Sequence, residues 1–239
     1  MSRPRLARVA TALLVAGLLV PAAAHAALVT VEYSGLVYDV TDPGNVLGGN
    51  VVANATPFTG GFTYDTSVPD TDPSSATGYY QGVNAHFFVD FGNGLRFEQD
   101  VTLPYNNIQI GNDLPDAGLP APGTYDGFYA YGQLKNFTSG NRTTDYAETG
   151  ITLQGLTGLS SDALPLGFSF APFLGACAQG QGNALVPCAE MEFHANFADG
   201  RNTSVYGYIR QGTTSVPEPS TLALIGLGML VTARRRAHA

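Results

Sequence analysis

Residues 189–197 read AEMEFHANF, and their alternation is unbroken. Ala189, Met191, Phe193, Ala195 and Phe197 fall on one side of an extended chain; Glu190, Glu192, His194 and Asn196 fall on the other. A period of two belongs to a half-buried strand, whereas a helix needs apolar residues at intervals of three and four. No ten-residue stretch between 27 and 212 carries the helical period. Twenty-nine glycines and fifteen prolines punctuate runs rich in Val, Phe and Tyr. That texture predicts many short strands joined by turns. Tryptophan is absent, but Phe and Tyr together number 25, enough aromatic bulk for an ordinary core.

The strands can be placed. Residues 27–41 alternate, and the phase slips at Gly35, which predicts a β-bulge. Phe58–Thr66 reads as a second strand, Tyr79–Phe91 and Gly94–Thr102 as further ones, and Asn93-Gly94 between them as a hairpin turn. Tyr105–Ile110, Tyr125–Leu134, Gly150–Leu156, Ala189–Phe197 and Thr203–Gln211 complete the set. One helical turn is expected within Ser160–Leu174, capped by Ser161 or Asp162 and stopped near Pro165. The expected fold class is all-β: an antiparallel two-sheet sandwich, jelly-roll-like. It occupies residues 27–212, between an N-terminal signal peptide and a short C-terminal transmembrane helix.

The N-terminal segment carries Arg3, Arg5 and Arg8, then an apolar run from Val9 to Val20. Ala24-His25-Ala26 follows as a small-x-small cleavage site. This is the pattern of a secretory signal peptide over residues 1–26, so Sec export is expected. At the other end, Val216-Pro217-Glu218-Pro219-Ser220-Thr221 precedes an uncharged run, Leu222–Val231, and then Arg234, Arg235 and Arg236. Pro217 and Pro219 keep the motif extended, because each lacks an N–H and biases its predecessor away from helix. Residues 219–233 as a helix would reach ~22 Å, short of a ~30 Å hydrocarbon core but insertable where the bilayer thins. The arginine triplet would stay on the cytoplasmic side.

Motif, short apolar helix and basic stop in this order resemble the PEP-CTERM sorting signal of Gram-negative bacteria, placed here at residues 213–239. The resemblance implies recognition by exosortase, a membrane-embedded cysteine transpeptidase, and cleavage near the motif, with a terminus near Pro217 to Ser220. It implies a transient stay in the inner membrane and release to the cell surface or an exopolysaccharide matrix. The body resembles other PEP-CTERM proteins more loosely, at Phe58–Ser67, Gly78-Tyr79-Tyr80 and Asp162–Pro165. That second resemblance implies no activity.

The charge distribution excludes some functions. Residues 27–216 hold five basic against eighteen acidic side chains, a net −13. Such a body repels phosphate backbones, so no nucleic-acid partner is expected. Cys177 and Cys188 are the only cysteines, and in an oxidising compartment they read as a disulfide. The other reading, a catalytic cysteine, would need His194 beside it. Glu190 and Glu192, two positions apart on a strand, stand ~6.5–7 Å apart, a separation at which a carboxylate pair can cleave glycosides; a solvated outer face is the plainer reading. Asp65, Asp70 and Asp72 lie in a turn-rich loop where carboxylates could hold calcium, although the loop lacks the glycine and closing glutamate of an EF-hand. No catalytic set, metal site or cofactor is assigned. The expected role is structural or adhesive, with extracellular polysaccharide as the partner. A secreted matrix hydrolase and a protein held permanently in the inner membrane are the alternatives.

Overall fold

The computed structural model describes residues 27–103, 105–115, 123–139, 142–175 and 187–216. The described residues form eleven strands and no helix. In chain order these are β1 (Leu28–Thr41), β2 (Pro57–Asp65), β3 (Thr77–Gln81), β4 (Asn84–Asp90), β5 (Arg96–Glu98), β6 (Asn106–Pro115), β7 (Thr124–Gln133), β8 (Thr138–Ser139), β9 (Arg142–Gly155), β10 (Cys188–Phe197) and β11 (Asn202–Ser215). The all-β, antiparallel expectation holds throughout. The expected signal peptide and C-terminal helix lie outside the described residues. Among those described, no helix is long and apolar enough to cross a membrane.

The strands form one sheet, where two were expected. Their hydrogen-bonded order is β3-β6-β7-β9-β10-β11-β1-β2-β4-β5, with β8 added to β9. The reason lies in β1. It pairs with β2 from Leu28 to Leu36 on one edge and with β11 from Thr30 to Thr41 on the other. No edge is left there at which one sheet could stop and another begin. The register of β1 on β11 shifts between Ser34 and Gly35 and again between Val37 and Asp39. The slip foreseen at Gly35 is therefore real, and such irregularities bend and twist a strand. Gly35 is also the residue that permits close approach. A Cβ there would lie 1.9 Å from the Tyr208 carbonyl oxygen and 2.6 Å from the Phe58 ring.

Bent in this way, the sheet curls round a single aromatic core. Phe62 of β2 stacks on Phe87 of β4, with centroids 4.6 Å apart, and faces Phe128 of β7 at 6.3 Å. Phe97 packs on Phe193 of β10 and on Phe137, both at 4.7 Å. The curl ends in a seam. Lys135 N–H donates to the Glu98 carbonyl and Asp100 N–H to the Gln133 carbonyl, with Gln99 and Leu134 bridged between them. Buried amides tie the seam from inside: Asn84 donates to the carbonyls of Asn107 and Tyr131, and Gln99 accepts from Phe87 N–H. In a low-dielectric interior such bonds fix register, because leaving the groups unpaired is costly.

Other expectations hold with adjusted limits. The Asn93-Gly94 hairpin joins β4 to β5, with φ of 53° and 82° at the two turn residues. The run 79–91 divides at Gly82 into β3 and β4, which lie far apart in the sheet. β11 continues to Ser215, three residues beyond the expected limit of the body at 212. The helical turn expected between Ser161 and Pro165 is not formed; the segment runs through bends, with one turn at 171–173 closed by Phe173 N–H on the Phe170 carbonyl. Phe168 and Phe170 are two apart and both pack inward, which needs extended chain. Tyr64 and Tyr80 hold the same segment by donating to the carbonyls of Pro165 and Asp162.

The core makes a simple prediction. Phe62→Ala should lower stability by about 3–5 kcal/mol, read by urea unfolding. Val101→Ala, at a side chain 60 % exposed, should stay within about 0.5 kcal/mol of the parent.

Candidate functional site

Strand alternation sends every second residue of β7, β9, β10 and β11 outward, and the register sets those residues in rows. Glu190 stands opposite Tyr208 on one side and Thr152 on the other, and Thr152 stands opposite Tyr129. In the next row Glu192 is flanked by Tyr206 and Gly150, and Gly150 by Tyr131. His194 pairs with Ser204 and Glu148. Neighbouring strands lie ~4.8 Å apart and rows ~7 Å apart, so tyrosines and carboxylates form a two-dimensional lattice. The inward partners of these residues are small or apolar: Ala130, Met191 and Gly207.

Side-chain bonds fix the lattice. Tyr38 of β1 donates to Glu190 and stacks on Tyr208 at 4.0 Å between centroids. Thr152 donates to Glu192 at 3.0 Å. The other Glu192 oxygen is 3.6 Å from His194 Nε2, and the His194 ring meets Tyr206 edge-on at 5.4 Å. Gln154 donates to the Tyr129 hydroxyl at 2.7 Å. Gly150 makes room for Tyr131: a Cβ there would come within 2.3 Å of that ring.

Packing against tyrosine has an electrostatic effect. Burial pushes the Glu190 carboxyl up to about 7, the Tyr38 hydrogen bond opposes the rise, and the Glu192 charge adds to it. Burial also raises Tyr131 and Tyr206, with Glu192 the next cause in both. The face therefore presents one carboxyl near neutrality beside a second two residues along the same strand.

The other candidates fare differently. Asp65 caps Ser67, Asp70 accepts from Asp72 and Tyr79 N–H, and Asp72 holds Ser74 and Thr77. The three carboxylates close separate turns, and no group of three or more potential ligands gathers among the described residues. Cys188 begins β10, six residues from His194, which is ~20 Å along a strand; that geometry does not make a nucleophile–base pair. Cys177, Ala24, Ala26, the motif from Pro217 to Ser220, and Arg234, Arg235 and Arg236 lie outside the described residues. Glu190, Glu192 and His194 were legible from the sequence, but their tyrosine partners were not singled out. The available signal was a pair of Tyr-small-Tyr triplets, Tyr129-Ala130-Tyr131 and Tyr206-Gly207-Tyr208.

β11 ends at Ser215, paired to Thr30, and Val216 alone separates it from Pro217. The geometry defines a β-sheet body whose last strand runs straight into a terminal address. That address is now identified: residues 215–237 match the PEP-CTERM protein-sorting motif, so the chain carries this sorting signal. The motif implies exosortase-dependent sorting of an exported protein, routed to the cell envelope or surface. No curated protein and no solved structure matches the chain.

The raised Glu190 gives a pH prediction. Its folded value, about 7, lies above the ~4.3 of an unfolded glutamate. Its contribution to stability is complete below the unfolded value and is lost as pH rises through the folded one. Thermal melts should show Glu190→Gln with a flatter profile than the parent between pH 5 and pH 8. Parallel profiles would mean that the carboxylate is solvated in the fold.

Proposed function

We propose that this is an exported, non-catalytic protein whose body holds polysaccharide at the cell surface or in the extracellular matrix. The observation that carries the reading is the outward lattice of Tyr38, Tyr129, Tyr131, Tyr206 and Tyr208 interleaved with Glu190, Glu192 and Thr152. Tyrosine offers a flat apolar body and a polar tip. Sugar rings offer the complement, CH faces flanked by hydroxyls. Hydrogen bonds within the lattice hold the side chains in place before any ligand arrives, which lowers the entropic cost of binding.

In this reading the signal peptide over residues 1–26 is removed after Ala26, following Sec export. The tail then halts in the inner membrane with Arg234–Arg236 on the cytoplasmic side. Exosortase cuts within Val216–Ser220 and releases the body. Cys177 and Cys188 form a disulfide that closes the intervening loop, worth ~2–3 kcal/mol.

One observation favours a second reading. A carboxyl raised to about 7 beside another carboxylate is how a glycosidase divides acid and base roles. Against it, Glu190 is engaged by Tyr38 and the pair lies on a sheet face; cavities of about 540 and 660 Å³ lie elsewhere, over β1, β2 and β4. Binding therefore fits better than hydrolysis.

Two measurements test the proposal. Mass spectrometry of the protein from its native host should find a C-terminus within residues 216–220 in surface and medium fractions. Retention of Arg234–Ala239 in every fraction would make the tail a lasting anchor. In sedimentation with matrix polysaccharide, the Tyr206→Ala, Tyr208→Ala double variant should lose about tenfold in affinity. Release of soluble sugar by the parent but not by Glu190→Gln would replace the binding reading with the hydrolase.

A further inference from the structure

We infer that the ligand of the tyrosine–carboxylate face is a polymer of amino sugars bearing free amines. The inference rests on the binding reading above and names its substrate class. Charge complementarity selects this class. Asp39 stands opposite Tyr206, Glu148 opposite His194, and Glu190 and Glu192 between the tyrosine rows. No lysine or arginine occupies these row positions. His194 is the one basic side chain within them, and the exposed Arg210 continues the outward face of β11 two residues past Tyr208.

Each ligand class meets this arrangement differently. A polymer of uronates or sulfated sugars would bring like charge against Asp39, Glu148 and Glu192, and against Glu190 wherever it is ionised. A neutral polymer's hydroxyls can donate to Glu190 and Glu192, but they bring no charge to offset that of the face. An ammonium group supplies three donors and a positive charge. A carboxylate accepts more than one bond per oxygen, so Glu192 can take a further donor although one oxygen holds the Thr152 hydroxyl and the other stands 3.6 Å from His194 Nε2. The tyrosines would carry the CH faces of the sugar rings, and the carboxylates between them would select the amine.

The test uses the exported, processed protein and three polymers: chitosan for free amines, chitin for the same backbone acetylated, and alginate for uronates. At physiological salt, retention on chitosan should exceed that on chitin by about tenfold, and alginate should retain nothing. Glu190→Gln with Glu192→Gln should bring chitosan retention down to the chitin level. A control, Asp113→Asn with Asp162→Asn, removes at least as much charge outside these rows and should bind like the parent. Equal losses in both pairs would show that net charge alone does the binding, and the inference would fall. Equal retention on chitin and chitosan, insensitive to either pair, would also overturn it while leaving polysaccharide binding intact. No retention on any of the three polymers would take down both readings together.

Discussion

The structure depends on β1 being hydrogen-bonded along both edges. β2 holds one side from Leu28 to Leu36, and β11 holds the other from Thr30 to Thr41. A strand so placed cannot end a sheet, so the layer continues through it. Its two register shifts then bend that continuous layer until Glu98–Asp100 meet Gln133–Lys135. The core needs this closure. Phe62, Phe87, Phe128 and Phe193 come from four strands distributed around the sheet, and they share one interior only because the sheet turns back on itself.

Much of this was legible in the sequence, and the limits have physical causes. Alternation is a local property, so strands such as 189–197 and the slip at Gly35 could be read directly. The order of strands is not local. Tyr79–Phe91 looks like one run, yet its two halves pair with β6 and β2, because the turn at Gly82 and the amides of Asn84 send the chain elsewhere. One sheet and two sheets share the same alternation, so the pattern could not choose between them. Ser161 or Asp162 before Pro165 resembled the cap and stop of one helical turn, but the inward packing of Phe168 and Phe170 draws the segment out.

The candidate site divides the same way. Glu190-x-Glu192-x-His194 is a feature of one strand and stood out. Its setting is a feature of four pairings, which place tyrosines from β7, β11 and β1 around it. The small residues matter as much as the large ones. Gly150 lies under Tyr131 and Gly207 over the Phe58 ring, so an outward tyrosine lattice and an inward aromatic core share the same strands without colliding. Burial by those tyrosines, rather than anything in the local sequence, is what displaces the Glu190 carboxyl from its ordinary range.

The pairing of Ser215 with Thr30 has a mechanical consequence. Force drawn through residue 216 away from the sheet enters β11 at its extremity, where the chain can be peeled from β1 one residue at a time. Force along the strand would instead load every pair together. Peeling is the weaker geometry, and the fold braces it at the point of entry. Thr214 donates to the Phe168 carbonyl and accepts from the Phe168 N–H, and Gly212 lies flat against the Phe170 ring. A tear that starts at the tail must break this clasp before it reaches the tyrosine rows, so strain at the point of attachment is kept from the surface that would do the holding.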